Sequence, residues 1–516
     1  MLIKPELKKI VLKLDNPARV LAVIPGAKII TYKGVELVVV PHRDEEVRIL
    51  HNIGINAPMP IEFYYSWPGQ YKPFDHQIAT SSFLTKHPRA YCLNDMGTGK
   101  TLSVLWSFDY LRSLGRATRM LVVSPLSTLD ETWGNTIFRN FPHLTFSTLH
   151  GTKARRQKLL DQMVDIYIIN HDGVKILCDE IANRDDINVV VIDEIAQAAR
   201  NKSTDRWKAL RKIVPHPTRL CWGLTGTPTP NAPTDAWAQC LLVTPDTVPK
   251  YMGLFKDATM KQVGPYKWVP RPAATEYVAN AMQPSIRYKR DECIDLPPVT
   301  YETRSVELTP DQRDAYKHML TKLHAEVNGQ QITAVNEAVK ISKLVQIAVG
   351  AAYGVDGDTI FIPASNRLKL VEEIIDEAGS KVIVFVPFTG ALNAVAEHLG
   401  KSYAVEKIQG STSKSERDRI FGEFQRTPNP RVLVAQASAM SHGLTLTAAS
   451  VIIWFAPVNS LETYEQACAR ITRPGQKLKQ LIVNIEGSPV EKVMYERLQG
   501  KGKMQGLLLD LLKKGF

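Results

Sequence analysis

The chain has 516 residues, 44% of them hydrophobic, with 64 Lys plus Arg against 52 Asp plus Glu and a formal net charge of +12. That length exceeds what one hydrophobic core supports, so roughly two to four domains are expected, and the basic excess favours a polyanionic partner. The six cysteines (Cys92, Cys178, Cys221, Cys240, Cys293 and Cys468) form no C-x-x-C pair, and the early charges after Met1 and the lack of a long apolar run exclude a secretory signal and a membrane-spanning helix. A soluble, reduced, cytoplasmic protein is expected.

Residues 1–66 alternate apolar and polar through Val20–Ile24, Ala27–Tyr32 and Val35–Val40, with Pro25-Gly26 and Lys33-Gly34 as turns. This predicts a small β-rich accessory domain, which either engages the partner or caps the next domain. Tyr71-Lys-Pro-Phe-Asp-His-Gln77 follows; the amide of Gln77 offers a donor and an acceptor that suit the edge of adenine.

Leu93-Asn-Asp-Met-Gly-Thr-Gly-Lys-Thr-Leu102 sits between a short apolar strand and a helical pattern. Gly97 and Gly99, flanking Thr98, let backbone amides approach phosphate oxygens, Lys100 reaches the β- and γ-phosphates, and Thr101 offers a hydroxyl to Mg²⁺. Asn94 occupies the outermost position of the G-x-x-x-x-G-K-[ST] pattern, where glycine is usual.

Met120–Pro125 and Asp165–Asn170 read as buried strands, and Asn188-Val-Val-Val-Ile-Asp-Glu194 drives an apolar run into two carboxylates. In a phosphate-loop ATPase, Asp193 would hold Mg²⁺ and Glu194 would orient and deprotonate the attacking water. Leu220–Asn231 is a further strand, ended by hydroxyls placed to sense phosphate through Glu194. The expected division is a first α/β lobe over 67–250 with a parallel sheet covered on both faces, a linker over 251–300, a helical insertion over 301–350, and a second α/β lobe over 351–516. In the second lobe, Tyr464–Arg473 has helical spacing that puts Arg470 and Arg473 on one face, suited to a γ-phosphate clamp.

Taken together and in order, these stretches resemble superfamily 2 helicases, most closely the Swi/Snf class of double-stranded DNA translocases. The matches are Asp95–Thr101 (motif I), Asp193-Glu194 (motif II), Leu224–Pro228 with Asn231 (motif III), Gly410-Ser-Thr412 with Glu416-Arg417, Gly443-Leu444, and Gln466 to Gln476 (motif VI), with Arg290-Asp-Glu and Val483–Val493 besides. The resemblance implies two RecA-like lobes, with ATP and Mg²⁺ as cofactors and double-stranded or branched DNA as partner. Gln77 and Gln466 would contact nucleotide and Arg470 and Arg473 would be arginine fingers. DNA phosphates would be gripped by Ser124, Asn170 and His171 on one side and by Phe388, Ser411, Thr412, Ser441 and His442 on the other. Its compactness resembles bacterial or phage members and annealing helicases, which implies remodelling of forks, recombination intermediates or protein-DNA complexes. A strand-separating helicase and a catalytically idle, ATP-gated DNA-binding module are the alternatives. Two departures from the class stand out: Ala196 replaces the motif II histidine, and motif V reads Ala439-Met-Ser-His-Gly-Leu-Thr-Leu446.

Overall fold

A computed structural model of the chain describes residues 1–265, 267–293, 297–322, 324–327, 330–333, 337–354, 358–440, 445–473 and 475–500. The chain divides into two compact units, with the main boundary between Cys293 and Ile294.

The first unit opens with an antiparallel sheet, β1 (Leu2–Lys4), β2 (Lys9–Leu12), β3 (Lys28–Tyr32) and β4 (Val35–Pro41), ordered β1-β2-β4-β3. A two-residue turn joins β3 to β4, and Lys33 and Gly34 both take the positive φ that such a turn requires (48° and 78°). One face of this sheet packs on Val47 and Leu50 of the helix Asp44–Asn52 and on Tyr110 of the helix Lys100–Ser113. The Tyr110 hydroxyl also donates to Asp44 Oδ2 at 2.7 Å, so residues 1–66 share a core with the body that follows.

That body is a seven-stranded, all-parallel sheet. Its strands are β5 (Arg89–Cys92), β6 (Arg119–Ser124), β7 (Phe146–Thr148), β8 (Ile166–Asn170), β9 (Ile187–Asp193), β10 (Leu220–Leu224) and, after a small hairpin of β11 (Met260–Gln262) with β12 (Trp268–Pro270), β13 (Ser285–Ile286). Their order is β13-β5-β10-β9-β6-β8-β7. β9 is apolar along nearly its whole length because it is covered on both faces, as the continuous run Val189–Ile192 predicts. With β5, β10 and β9 adjacent, the loops at their C-terminal ends converge, which is where open α/β sheets bind ligands. The stretch 251–300, expected as a linker, instead supplies the hairpin, the helix Ala274–Ala281 and the edge strand β13. A two-residue strand is too short to leave a periodic signal.

The second unit holds a six-stranded parallel sheet of β14 (Val299–Ser305), β19 (Lys381–Phe385), β20 (Val405–Ile408), β21 (Val432–Ala435), β22 (Ala449–Trp454) and β23 (Gln480–Glu486), ordered β14-β23-β22-β19-β21-β20. Between β14 and β19 lie two hairpins, β15 (His324–Val327) with β16 (Gln330–Thr333) and β17 (Ala351–Tyr353) with β18 (Thr359–Phe361). The stretch 301–350, expected as helical, therefore begins in β14 and includes a hairpin between its helices Pro310–Lys322 and Glu337–Ala348. β14 is stabilised by pairing with β23, far along the chain, and half of its side chains are exposed, so local apolar periodicity does not reveal it. After β23, residues 489–500 are helical. Glu491, fully buried there, accepts from Arg367 Nη2 at 2.8 Å and from Ser488 Oγ at 2.9 Å, which compensates the burial of both charges. Among the described residues no helix is long and apolar enough to cross a membrane.

Candidate nucleotide site

The loop between β5 and the helix Lys100–Ser113 turns on Gly97 (φ 85°) and Gly99 (φ 80°), both left-handed. The positive φ at Gly99 is one that other residues rarely adopt, and a Cβ there would lie 2.1 Å from Gln77 Nε2, so the Gln77 amide would have to shift. Lys100 Nζ donates to the carbonyls of Asn94 (2.9 Å) and Asp95 (3.3 Å), so the ammonium occupies the cradle that phosphate oxygens would share. Gln77 uses both ends of its amide within the chain: Oε1 accepts from the Phe74 amide at 3.0 Å and Nε2 donates to the Thr98 carbonyl at 3.2 Å, beside the His76 ring at 2.8 Å from the same oxygen. Each end keeps capacity for a second bond, since the amide nitrogen carries two N–H groups and the oxygen two lone pairs.

Asn94, the departure from glycine, has a structural reason. It is 1% exposed, its Nδ2 donates to Thr80 Oγ1 at 2.9 Å and its Oδ1 accepts from the Tyr288 amide at 2.9 Å. Asp95 beside it accepts from Arg287 Nη2 at 2.5 Å and from the Arg290 amide at 3.0 Å. Residues 287–290, which follow the edge strand β13, thus hold the loop from outside. Arg287 was not apparent from sequence, since nothing local links it to a loop some 190 residues earlier.

At the end of β9, Asp193 and Glu194 lie one strand away from the glycine loop's own strand neighbour, β10. Glu194 has φ 48° and ψ 53°, a left-handed conformation that a non-glycine residue adopts at a cost and that concentrates at functional sites. Its Oε2 accepts from Thr225 Oγ1 at 3.4 Å, so a hydroxyl at the end of β10 touches the carboxylate as expected. Ala196 is fully buried on the next helix, and the Thr225 contact reaches Glu194 without an intervening imidazole.

The Asp193 carboxylate is fixed on both sides: Trp133 Nε1 donates to Oδ2 at 3.0 Å and the Glu194 amide to Oδ1 at 3.1 Å. Burial raises its pKa, opposed by the Trp133 hydrogen bond, the positive charge of Lys100 and the Glu194 amide. Trp133 is fully buried and lies on a π-helical turn, Leu129–Gly134, a form that recurs at functional sites. It carries no sequence signal, because a tryptophan in an apolar pattern reads as core.

Two residues expected to grip DNA are placed otherwise. Ser124 is fully buried, with its hydroxyl accepting from Thr128 Oγ1 at 3.1 Å. His171 is 5% exposed and bonds the Asp193 carbonyl through Nε2 at 2.8 Å; burial pushes its pKa down to about 4, so the ring is neutral with its proton on Nε2. Asn170 is half-buried and accepts from Arg156 Nη1 at 3.2 Å. In the second unit Ser411 is exposed, and Phe388 and Thr412 are half-buried at the ends of β19 and β20. Ser441 and His442, with Gly443 and Leu444, lie outside the described residues.

The helix expected through Arg473 ends at Cys468. Arg470 (3% exposed) and the half-buried Arg473 lie in the turn beyond it, where Arg473 Nε donates to the Ala469 carbonyl at 3.3 Å and Thr472 Oγ1 to that of Cys468 at 3.4 Å. Side chains that satisfy the last carbonyls end the helix, and a proline at 474 disfavours its continuation. Gln466 remains on the helix, donating to Glu462 Oε1 at 3.2 Å.

A parallel sheet whose central strands deliver a glycine loop, a lysine and two adjacent acids defines an ATP hydrolase built on RecA-like lobes. Residues 85–349 match the SNF2-related domain and residues 366–475 the helicase conserved C-terminal domain. The chain belongs to the SNF2-related family, and it carries the helicase-like ATPase core of the Swi/Snf class. It is 25% identical over 471 residues to a p41 protein of Acyrthosiphon pisum secondary endosymbiont phage 1, covering 86% of this chain and 98% of that one. It is 24% identical over 479 residues to the ISWI chromatin-remodeling complex ATPase ISW1 of Saccharomyces cerevisiae, covering 86% of this chain and 41% of the yeast protein. The chain thus spans nearly all of the phage relative and less than half of the yeast one. Among solved structures, the Sulfolobus solfataricus SWI2/SNF2 ATPase core in complex with dsDNA aligns at 24% identity with a TM-score of 0.42, covering 87% of this chain and 94% of that one.

Proposed function

We propose that the chain is an ATP-driven translocase on double-stranded DNA that remodels forks, recombination intermediates or protein-DNA complexes. The observation that carries this reading is the pair of acids at the end of β9, with Glu194 held in a left-handed conformation against Thr225 and Asp193 fixed between Trp133 and its own neighbour's amide.

Lys100 releases the loop carbonyls and takes the β- and γ-phosphates, while Gly97, Thr98 and Gly99 present amides to them. Glu194 accepts the proton of the attacking water as that water bonds to the γ-phosphorus and ADP leaves. Asp193 and the Thr101 hydroxyl fit Mg²⁺: a hard cation that keeps several waters and binds substrate phosphates needs only one or two protein ligands, and no cluster of three metal-binding side chains occurs among the described residues. When bound, Mg²⁺ supplies charge neutralisation on the phosphates. Arg470 and Arg473 act as arginine fingers, and Gln77 and Gln466 contact the nucleotide. Asn170, Phe388, Ser411 and Thr412 contact DNA phosphates, which makes binding indifferent to sequence, and the +12 net charge supports a polyanionic partner.

The test is ATP turnover by the purified chain with no DNA, with duplex DNA and with single-stranded DNA. Duplex stimulates turnover most, and the stimulation weakens as salt rises because counterion release drives binding. Turnover that ignores every DNA would refute the reading.

A further inference from the structure

An antiparallel sheet with one face in water alternates apolar and polar side chains. β4 does not, because Leu37-Val-Val-Val40 is apolar on both faces. One face is accounted for: Val38 and Val40, with Ile10 and Leu12 beside them, are buried in the core shared with Tyr110. The strand register gathers the remaining side chains on the opposite face, with Leu2 opposite Val11, Val11 opposite Val39, Ile30 opposite Leu37, and Tyr32 opposite Val35. Leu2 is 55% exposed, Ile30 44%, Tyr32 60% and Val35 39%, while Val11, Leu37 and Val39 between them are half-buried. A contiguous apolar face of this kind on a water-facing sheet marks an interaction site.

The same register identifies the charge at its rim. Lys4 pairs with Lys9 and Lys28 with Val39, so three lysines share this face. The only acid in the four strands, Glu36, pairs with Thr31 on the opposite side. The face is therefore apolar in the middle and cationic at the edge, and the four strands bring no carboxylate to it.

We propose that this face docks an amphipathic segment of a partner protein, whose apolar side covers the stripe through Leu37 and Ile30 and whose flanking carboxylates meet Lys4, Lys9 and Lys28. Charge complementarity selects this occupant. Single-stranded nucleic acid stacks its bases on aromatic rings, and the face offers one ring, Tyr32, among aliphatic side chains. A second copy of the chain, docked through the same face by a two-fold axis, would bring these lysines no strand carboxylate, because Glu36 lies on the other side of the sheet. The chain's terminal stretch 501–516 carries four lysines against one aspartate, the wrong sign for this rim.

The test uses the full chain and two fluorescein-labelled synthetic peptides of identical helical leucine spacing, one with glutamates on its polar side and one with lysines. Anisotropy shows saturable binding of the Leu/Glu peptide, weakened by salt, and no binding of the Leu/Lys peptide. The double variant I30E/L37E, whose substitutions point away from the core, weakens binding by about tenfold or more, as expected for residues central to a docking patch, while ATP turnover without DNA is unchanged. The proposal is overturned if the Leu/Glu peptide does not bind or if both peptides bind alike. It is equally overturned if I30E/L37E instead abolishes binding of a single-stranded oligonucleotide, or converts a sedimenting dimer to monomer, without changing peptide binding. Should the variant not fold, replacing Lys4, Lys9 and Lys28 together by Gln must remove the salt dependence of peptide binding; retention of that dependence also overturns it.

Discussion

Trp133 Nε1 donates to Asp193 Oδ2 at 3.0 Å, joining a π-helical turn at the end of β6 to a carboxylate at the end of β9. Outer-shell hydrogen bonds of this kind fix the rotation of a metal-binding group, and their loss costs about 10–100-fold in metal affinity. The variant W133F keeps most of the ring volume and removes the donor. It raises the Mg²⁺ concentration needed for half-maximal binding of a fluorescent ADP by that factor and leaves binding in EDTA unaltered. An unchanged Mg²⁺ requirement would assign Trp133 to packing alone.

Asn94→Gly restores the glycine that the general phosphate-loop pattern has at this position, and the structure predicts harm. The change removes the partner of the Tyr288 amide, a loss of about 1–3 kcal/mol if that group is left unsatisfied, and one of two bonds of the buried Thr80 hydroxyl, which still donates to the His76 carbonyl at 2.7 Å. Urea unfolding followed by circular dichroism should show a lower midpoint. A midpoint equal to the native one would mean that water replaces both bonds.

Arg470→Ala and Arg473→Ala separate the two candidate fingers. The residue that stabilises charge on the transferred phosphoryl group lowers kcat by roughly a thousandfold or more, with nucleotide affinity little changed. A change below about tenfold in either variant would assign that arginine to the turn after Cys468, where Arg473 already bonds a helix carbonyl.

His87, at the C-terminal end of the helix Asp75–Lys86, has its pKa pushed down to about 4, first by burial and then by Lys86, His51 and Arg48. The unfolded chain takes up this proton near the ordinary value of 6.5, and the folded chain only near 4. The neutral ring thus contributes stability that is present above pH 6.5 and lost as pH falls toward 4. Thermal unfolding across that window should show a shallower pH dependence in His87→Gln, and an identical profile would contradict the assignment.

The features legible in sequence are those whose partners lie close along the chain. The loop around Lys100, the apolar run into Asp193-Glu194 and the hydroxyls after β10 each combine a local pattern with a local chemistry, and the structure brings Thr225 to Glu194. What sequence missed depends on partners far away. Trp133 is indistinguishable from core until Asp193 is seen beside it, β14 is stabilised by β23, and Arg287 acts on a loop from the opposite edge of the sheet. Ser124 and His171 stand at strand ends, where a polar residue reads as exposed, yet the Ser124 hydroxyl is bonded by Thr128 in the turn after its own strand and the His171 ring by the Asp193 carbonyl at the end of β9, two strands away. Helical spacing likewise continued through Arg473 because periodicity does not register the carbonyl capping that stops the helix at Cys468.

The central claim is that phosphate chemistry at Glu194 drives movement along duplex DNA. Its most direct measurement is displacement of a fluorescent third strand from a DNA triplex that the chain must travel to reach. The native chain displaces the strand with ATP and not with ADP, and Glu194→Gln binds ATP but displaces nothing. Duplex-stimulated ATP hydrolysis by the native chain without any displacement, or displacement by Glu194→Gln equal to the native rate, would contradict it.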